Sequence, residues 1–172
     1  MPAWSPEIAN EFVQRGRKDR RAFCQGQLQK LVYIAHGWCL AYSDQPLTGD
    51  RPEAWSFGPV YRRLSDALAE CGLEPVVNEI HSRRHANTDV RCVGDPIDAA
   101  LSPFEMDVIE MVYQDFGRLS SPQLSFFTQG PGTPWATVFA NGEGEFRDIH
   151  HQLIRVQFVQ FAEEAEVAEK PS

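Results

Sequence analysis

The chain has 172 residues, 42% of them hydrophobic, and a formal net charge of −8. That length supports one ordinary core and hence a single domain, and no apolar run approaches the ~20 residues a membrane helix needs. From Leu73 onward there are 16 Asp+Glu against 7 Lys+Arg, whereas nucleic-acid binders carry a basic surplus, so the balance argues against DNA or RNA as the main partner.

Ile8, Ala9, Phe12 and Val13 fall at helical spacing and predict a first helix over residues 6–16, with Gly16 placed to end it. The basic run Arg15-Gly16-Arg17-Lys18-Asp19-Arg20-Arg21 reads as an exposed linker between helices rather than a phosphate contact. A second helix is predicted over residues 27–42. Leu28, Leu31, Val32, Ala35, Trp38, Cys39 and Tyr42 share one face, and Tyr33, Ile34 and Ala41 carry apolar surface round the rest. A helix apolar on all sides belongs at the centre. Its interior Gly37 costs about 1 kcal/mol against Ala, which predicts close approach by another element.

Gln45-Pro46 and Thr48-Gly49-Asp50 are turn chemistry. Gly58-Pro59 predicts the start of a third helix, with Val60, Leu64, Ala67, Leu68 and Cys71 as its stripe and Gly72 as a left-handed stop. Residues 75–80 and 90–93, separated by a polar span with Asn87, predict a small hairpin. Ser102-Pro103-Phe104-Glu105 combines a capping Ser, Pro in the first turn and Glu three residues past the cap; it starts a helix through Phe104, Val108, Met111 and Val112 that Gly117 ends. Ser121-Pro122 repeats the signal for a short helix through Leu124 and Phe127. A rigid loop, Gly130-Pro131-Gly132-Thr133-Pro134-Trp135, leads into residues 136–139, and Leu153, Ile154, Phe158, Phe161 and Ala165 mark a last helix. The expected fold is mainly α, a single compact helical domain with a small β-hairpin, over residues 6–162, followed by an acidic tail at 163–172.

Little in the chain is chemically reactive. Cys24, Cys39, Cys71 and Cys92 are widely spaced, and Met1-Pro2-Ala3-Trp4-Ser5-Pro6 lacks the charged and apolar regions of a signal peptide. Reduced thiols and a cytoplasmic location are therefore expected. His81, His85 and Cys92 fall in a predicted strand and turn, where imidazoles four apart do not share a face, so no metal is expected. His150 and His151 are adjacent and diverge on a helix. His36 and Cys39 are three apart, within reach of a thiolate–imidazole contact, but their helix reads as core and a buried, hydrogen-bonded His is favoured. Phosphate loops, Gly-x-Ser-x-Gly, His-Glu-x-x-His and paired-carboxylate motifs are missing, so neither catalytic residues nor cofactors are expected. Trp55, Phe57, Tyr61 and Trp135 remain. They pack the core or anchor a protein interface, where Trp and Tyr are enriched. Trp55 and Trp135 fall in loops at predicted helix starts, which favours exposed edges available to a partner protein.

The segment Gln27-Leu28-Gln29-Lys30-Leu31-Val32-Tyr33-Ile34-Ala35-His36-Gly37-Trp38, followed by Ala54-Trp55-Ser56-Phe57-Gly58-Pro59-Val60, resembles the SocA-like antitoxin domain called Panacea, also labelled phage-associated protein GepA. Lys30, Tyr33, His36, Gly37, Trp38, Gly58, Pro59 and Pro134 carry the motif, and residues 124–128 with Pro134-Trp135-Ala136 resemble its later signature. Gln129 stands where the family commonly has His. The resemblance implies a bacterial or phage protein that neutralises a cognate toxin encoded beside it, by direct binding or by handing it to a Clp-type protease. The alternative is a phage or prophage effector that inhibits a host protein.

Overall fold

Helix α2 (Gln25–Ser43) is the axis of the molecule because its sequence offers no polar side to water. Every residue from position 28 to 37 is buried. The computed structural model describes residues 2–81 and 99–170. Around α2 lie α1 (Ser5–Lys18), α3 (Arg62–Leu68), α4 (Pro103–Phe116), α5 (Ser121–Gln129) and α7 (His151–Glu169). A short α6 (Pro134–Phe139) links α5 to an antiparallel hairpin, β1 (Glu53–Trp55) and β2 (Gly58–Val60). The fold is mainly α with a small β-hairpin.

The polar residues inside α2 would be costly to bury unpaired, and each braces a different segment. Gln27 Nε2 donates to the Leu119 carbonyl at 3.1 Å. Gln29 makes a two-point clamp, donating to the Tyr61 carbonyl at 3.1 Å and accepting from the Tyr61 N–H at 2.8 Å. Lys30 Nζ donates to Ser121 Oγ at 2.9 Å, tying α2 to the start of α5. In α1, Asn10 clamps Ile80 in the same two-point way.

Gly37 does mark a close approach. A Cβ there would lie 2.3 Å from the ring of Phe158, the buried residue by which α7 seats on α2. Trp38, by contrast, is only partly buried, stacked on Tyr42 and meeting Phe158 edge-on. Local caps set three helix starts. Ser102, Ser120 and Thr133 each accept the N–H three residues on, with Pro in the first turn each time. The second cap is thus Ser120, one residue before the predicted signal.

Five expectations change. Gly58-Pro59 opens no helix: it forms β2, and α3 begins only at Arg62. Proline's fixed φ suits an edge strand as well as a first helical turn. The hairpin accordingly forms at residues 53–60. Residues 75–80 form no strand, Val76 making a single bridge to Phe23, and the predicted second arm at 90–93, with Asn87, His85 and Cys92, lies outside the described residues. Gly16 does not end α1. It lets the Arg21 carbonyl approach within 2.6 Å of where a Cβ would stand, as the chain reverses through Arg20 at φ 56°. Nor is the basic run all linker, since α1 extends to Lys18 and Arg15 pairs with Glu11 at 2.8 Å and Glu110 at 2.7 Å. The last helix continues to Glu169, so the acidic stretch from 163 is helical to that point.

Candidate functional site

The hairpin carries the candidate residues and is held from behind at several points. Its register pairs Glu53 with Val60, Ala54 with Pro59 and Trp55 with Gly58, leaving Ser56 and Phe57 as the turn. Gly58 takes φ +116°, which a side chain would resist, and a Cβ there would meet the Gln129 amide at 2.9 Å. Only glycine lets the turn close against α5. On the other edge of β1, Ala54 N–H donates to the Arg147 carbonyl and Phe146 N–H to the Ala54 carbonyl, both at 2.8 Å. Residues before α7 thereby cover the hairpin's free edge.

These constraints sort the four aromatic candidates. Phe57, at the turn, is 85% exposed. Trp55 is half-buried: its indole N–H donates to Glu53 Oε2 at 2.8 Å, Arg62 lies 5.2 Å over its ring, and Phe146 meets it edge-on at 5.5 Å. The Glu53 carboxylate also receives both Nε and Nη2 of Arg62, which stiffens this corner. Trp135, also half-buried, stacks on Phe139 and donates its indole N–H to the Trp55 carbonyl at 2.7 Å. It tethers α6 to the hairpin and shows its remaining surface beside it. Tyr61 is different. It is fully buried, edge-on to His36, because the Gln29 clamp draws this residue into the core. It presents nothing to a partner and drops out of the contact set.

Sequence reading missed Phe126, which is 80% exposed on α5. A signal was available: Phe126 stands two residues from both Leu124 and Thr128, the buried positions, and so on the opposite face of the helix. Phe126 and Phe57 flank, in sequence, the packed pair Gln129 and Gly58.

The motif residues Lys30, Tyr33, His36 and Gly37 are buried scaffold, and Gly58, Pro59 and Pro134 shape the hairpin and the start of α6. His36 is held by Thr48 and His151, and the Thr48 hydroxyl also lies 3.1 Å from its Nδ1. The Thr48 N–H donates to its Nδ1 at 3.3 Å, so the ring proton sits on Nε2 and is given to His151 Nδ1 at 2.9 Å. Burial, with His151 beside it, pushes the His36 pKa down to about 3, and burial pushes the Cys39 thiol up to about 12. A protonated thiol is a poor nucleophile, and the neutral imidazole braces α2 against the Thr48 turn and the start of α7 through its two ring nitrogens. Cys24, Cys39 and Cys71 are free. Among the described residues no group of three or more His, Cys, Asp or Glu is placed to hold a metal, and no helix is long and apolar enough to cross a membrane.

A braced helical scaffold holding an aromatic hairpin at its surface is the class this geometry defines. The chain belongs to the SocA-like antitoxin family: the family model described as antitoxin SocA-like, Panacea domain, matches residues 28–136. That span runs from α2 into α6 and includes the hairpin and α5, with α1 and α7 outside it. Antitoxin SocA of Caulobacter vibrioides (strain NA1000 / CB15N) is 32% identical over 120 residues, covering 68% of this chain and 60% of that protein. No solved structure matches the chain.

Proposed function

We propose that this protein is an antitoxin that neutralises a cognate toxin by binding it directly, with the hairpin corner of Trp55, Phe57 and Trp135 as part of the contact surface. Membership of the antitoxin family supports the role. The observation that carries the surface is Phe57: a large apolar ring, 85% exposed, on a turn fixed by the Gly58–Gln129 contact and by the covered edge of β1. A rigid, exposed aromatic loses little entropy on binding and buries much apolar area, which is how interface anchors concentrate energy. In this reading the binding domain spans residues 6–162.

The test is rescue of growth when the chain is co-expressed with the product of the adjacent gene. Phe57→Ser is expected to abolish rescue and to leave the thermal midpoint unchanged, because the ring contributes little to the core. Rescue undiminished in this variant would move the surface elsewhere. Measuring toxin abundance in the same cultures separates the modes. Constant toxin with wild-type rescue fits direct blocking, whereas loss of toxin that depends on a Clp-type protease fits delivery for degradation.

A further inference from the structure

Beyond the hairpin, α2, α4, α5 and α7 leave a second apolar feature between them. It is a cleft of about 350 Å³ lined by Ile34, Trp38, Phe116, Phe127, Phe158 and Phe161, with Glu164 and Ala165 of α7 at its edge. The aromatic surface does not stop at the cleft. Phe127 meets Phe116 edge-on at 5.2 Å inside it and Phe126 edge-on at 5.9 Å outside it. Trp38, in the lining, has its indole N–H buried with no acceptor among the described residues.

The surround is acidic. In the last turns of α7, Glu164 lines the cleft and Glu169, four residues past Ala165, falls on the same side of the helix; both are exposed, and among the described residues neither is ion-paired. Glu164 is engaged only by the neutral Gln160 amide, at 3.2 Å. Arg155, earlier on the helix, is already committed to Asp44 at 2.7 Å. An apolar slot beside unneutralised carboxylates selects a ligand with complementary parts: large apolar side chains to fill the slot and cations beside them to meet the glutamates.

We infer that this cleft is a docking site for a basic amphipathic helix of the partner protein, whose apolar side chains enter between Phe127 and Phe161 while its Lys or Arg residues face Glu164 and Glu169. The assignment to the toxin rests on the antitoxin reading; the chemistry of the cleft does not. One wall, α7, lies beyond the residues the family model matches.

Ala165 allows a test that spares the core, since it borders the cleft yet is exposed. Ala165→Trp places an indole in the slot and removes no packed side chain. The probe is a fluorescein-labelled Leu/Lys amphipathic helical peptide, with a Leu/Glu counterpart and a Ser/Lys peptide as controls, followed by anisotropy. The expected result is binding of Leu/Lys alone. Ala165→Trp should weaken it at least tenfold, as should the combined Glu164→Gln and Glu169→Gln variant, with thermal midpoints unchanged, whereas Phe57→Ser has no effect. Equal binding of all three peptides, no binding of Leu/Lys, or unchanged affinity in Ala165→Trp overturns the site. In the co-expression assay Ala165→Trp should lose rescue, and retained rescue overturns the assignment to the toxin. If wild type itself fails to rescue, the antitoxin reading falls while the peptide result stands.

Discussion

Gly37→Ala tests the packing that organises the molecule. In an unobstructed helix this change stabilises by about 1 kcal/mol, through propensity alone. Here the new methyl would stand 2.3 Å from Phe158 Cε2 and 2.4 Å from Cδ2. Carbon atoms settle at about 3.5–4.0 Å, so the ring has to retreat by roughly 1 Å. It has little room to do so, being 1% exposed and in edge-on contact with Tyr33, Trp38 and Phe161. Overpacking of this kind costs about 1–3 kcal/mol, occasionally more, which offsets the propensity gain and leaves a net loss of up to ~2 kcal/mol. Urea unfolding followed by far-UV circular dichroism, with Phe158→Leu and the double variant completing a cycle, gives both the loss and its source. The two substitutions should couple favourably by about 1 kcal/mol, as contacting residues do. A Gly37→Ala protein more stable than wild type would refute the seating of α7 on α2.

Removing the Gln29 amide with Gln29→Ala strands the buried N–H and carbonyl of Tyr61, and at about 1–3 kcal/mol for each unsatisfied group a loss of ~2–6 kcal/mol is expected by chemical denaturation. Trp135→Phe keeps the ring and deletes the N–H given to the Trp55 carbonyl, so about 1 kcal/mol of stability should go, with faster hydrogen exchange in the hairpin. His36 sets a pH dependence. Its folded pKa, about 3, lies below the unfolded value of 6.5, so the unfolded chain takes up the proton first as pH falls. The contribution is fully present above about pH 6.5 and declines toward pH 3, at up to ~1.4 kcal/mol per pH unit. Subtracting the curve of His36→Gln should isolate that slope, and parallel curves would mean that His36 titrates normally.

How much of this was legible in the sequence follows from the range of the interactions. Helix α2 declared itself because apolar residues on every side admit one placement, and Ser102-Pro103 with Glu105 fixed α4 through contacts three residues apart. The hairpin was misplaced because the deciding contacts are distant. Arg147 and Phe146 pair with Ala54, Gln29 clamps Tyr61, and Gln129 packs on Gly58. None of these leaves a local pattern, so Gly58-Pro59 took its local meaning, a helix start. The same long-range clamp buries Tyr61, which its neighbours Trp55 and Phe57 gave no reason to separate from them. His36 was rightly read as a hydrogen-bonded core residue, yet its partner His151, from the start of α7, had no signature to offer.

The central claim is that this chain binds its toxin directly and does so in part through the hairpin corner. Isothermal titration of the purified chain with the purified product of the adjacent gene measures that without reference to growth. The account predicts a saturable complex whose dissociation constant rises roughly thirtyfold or more in Phe57→Ser, the factor that corresponds to losing an anchor worth about 2 kcal/mol. No detectable complex between proteins that neutralise one another in cells, or an affinity indifferent to Phe57→Ser, would contradict it.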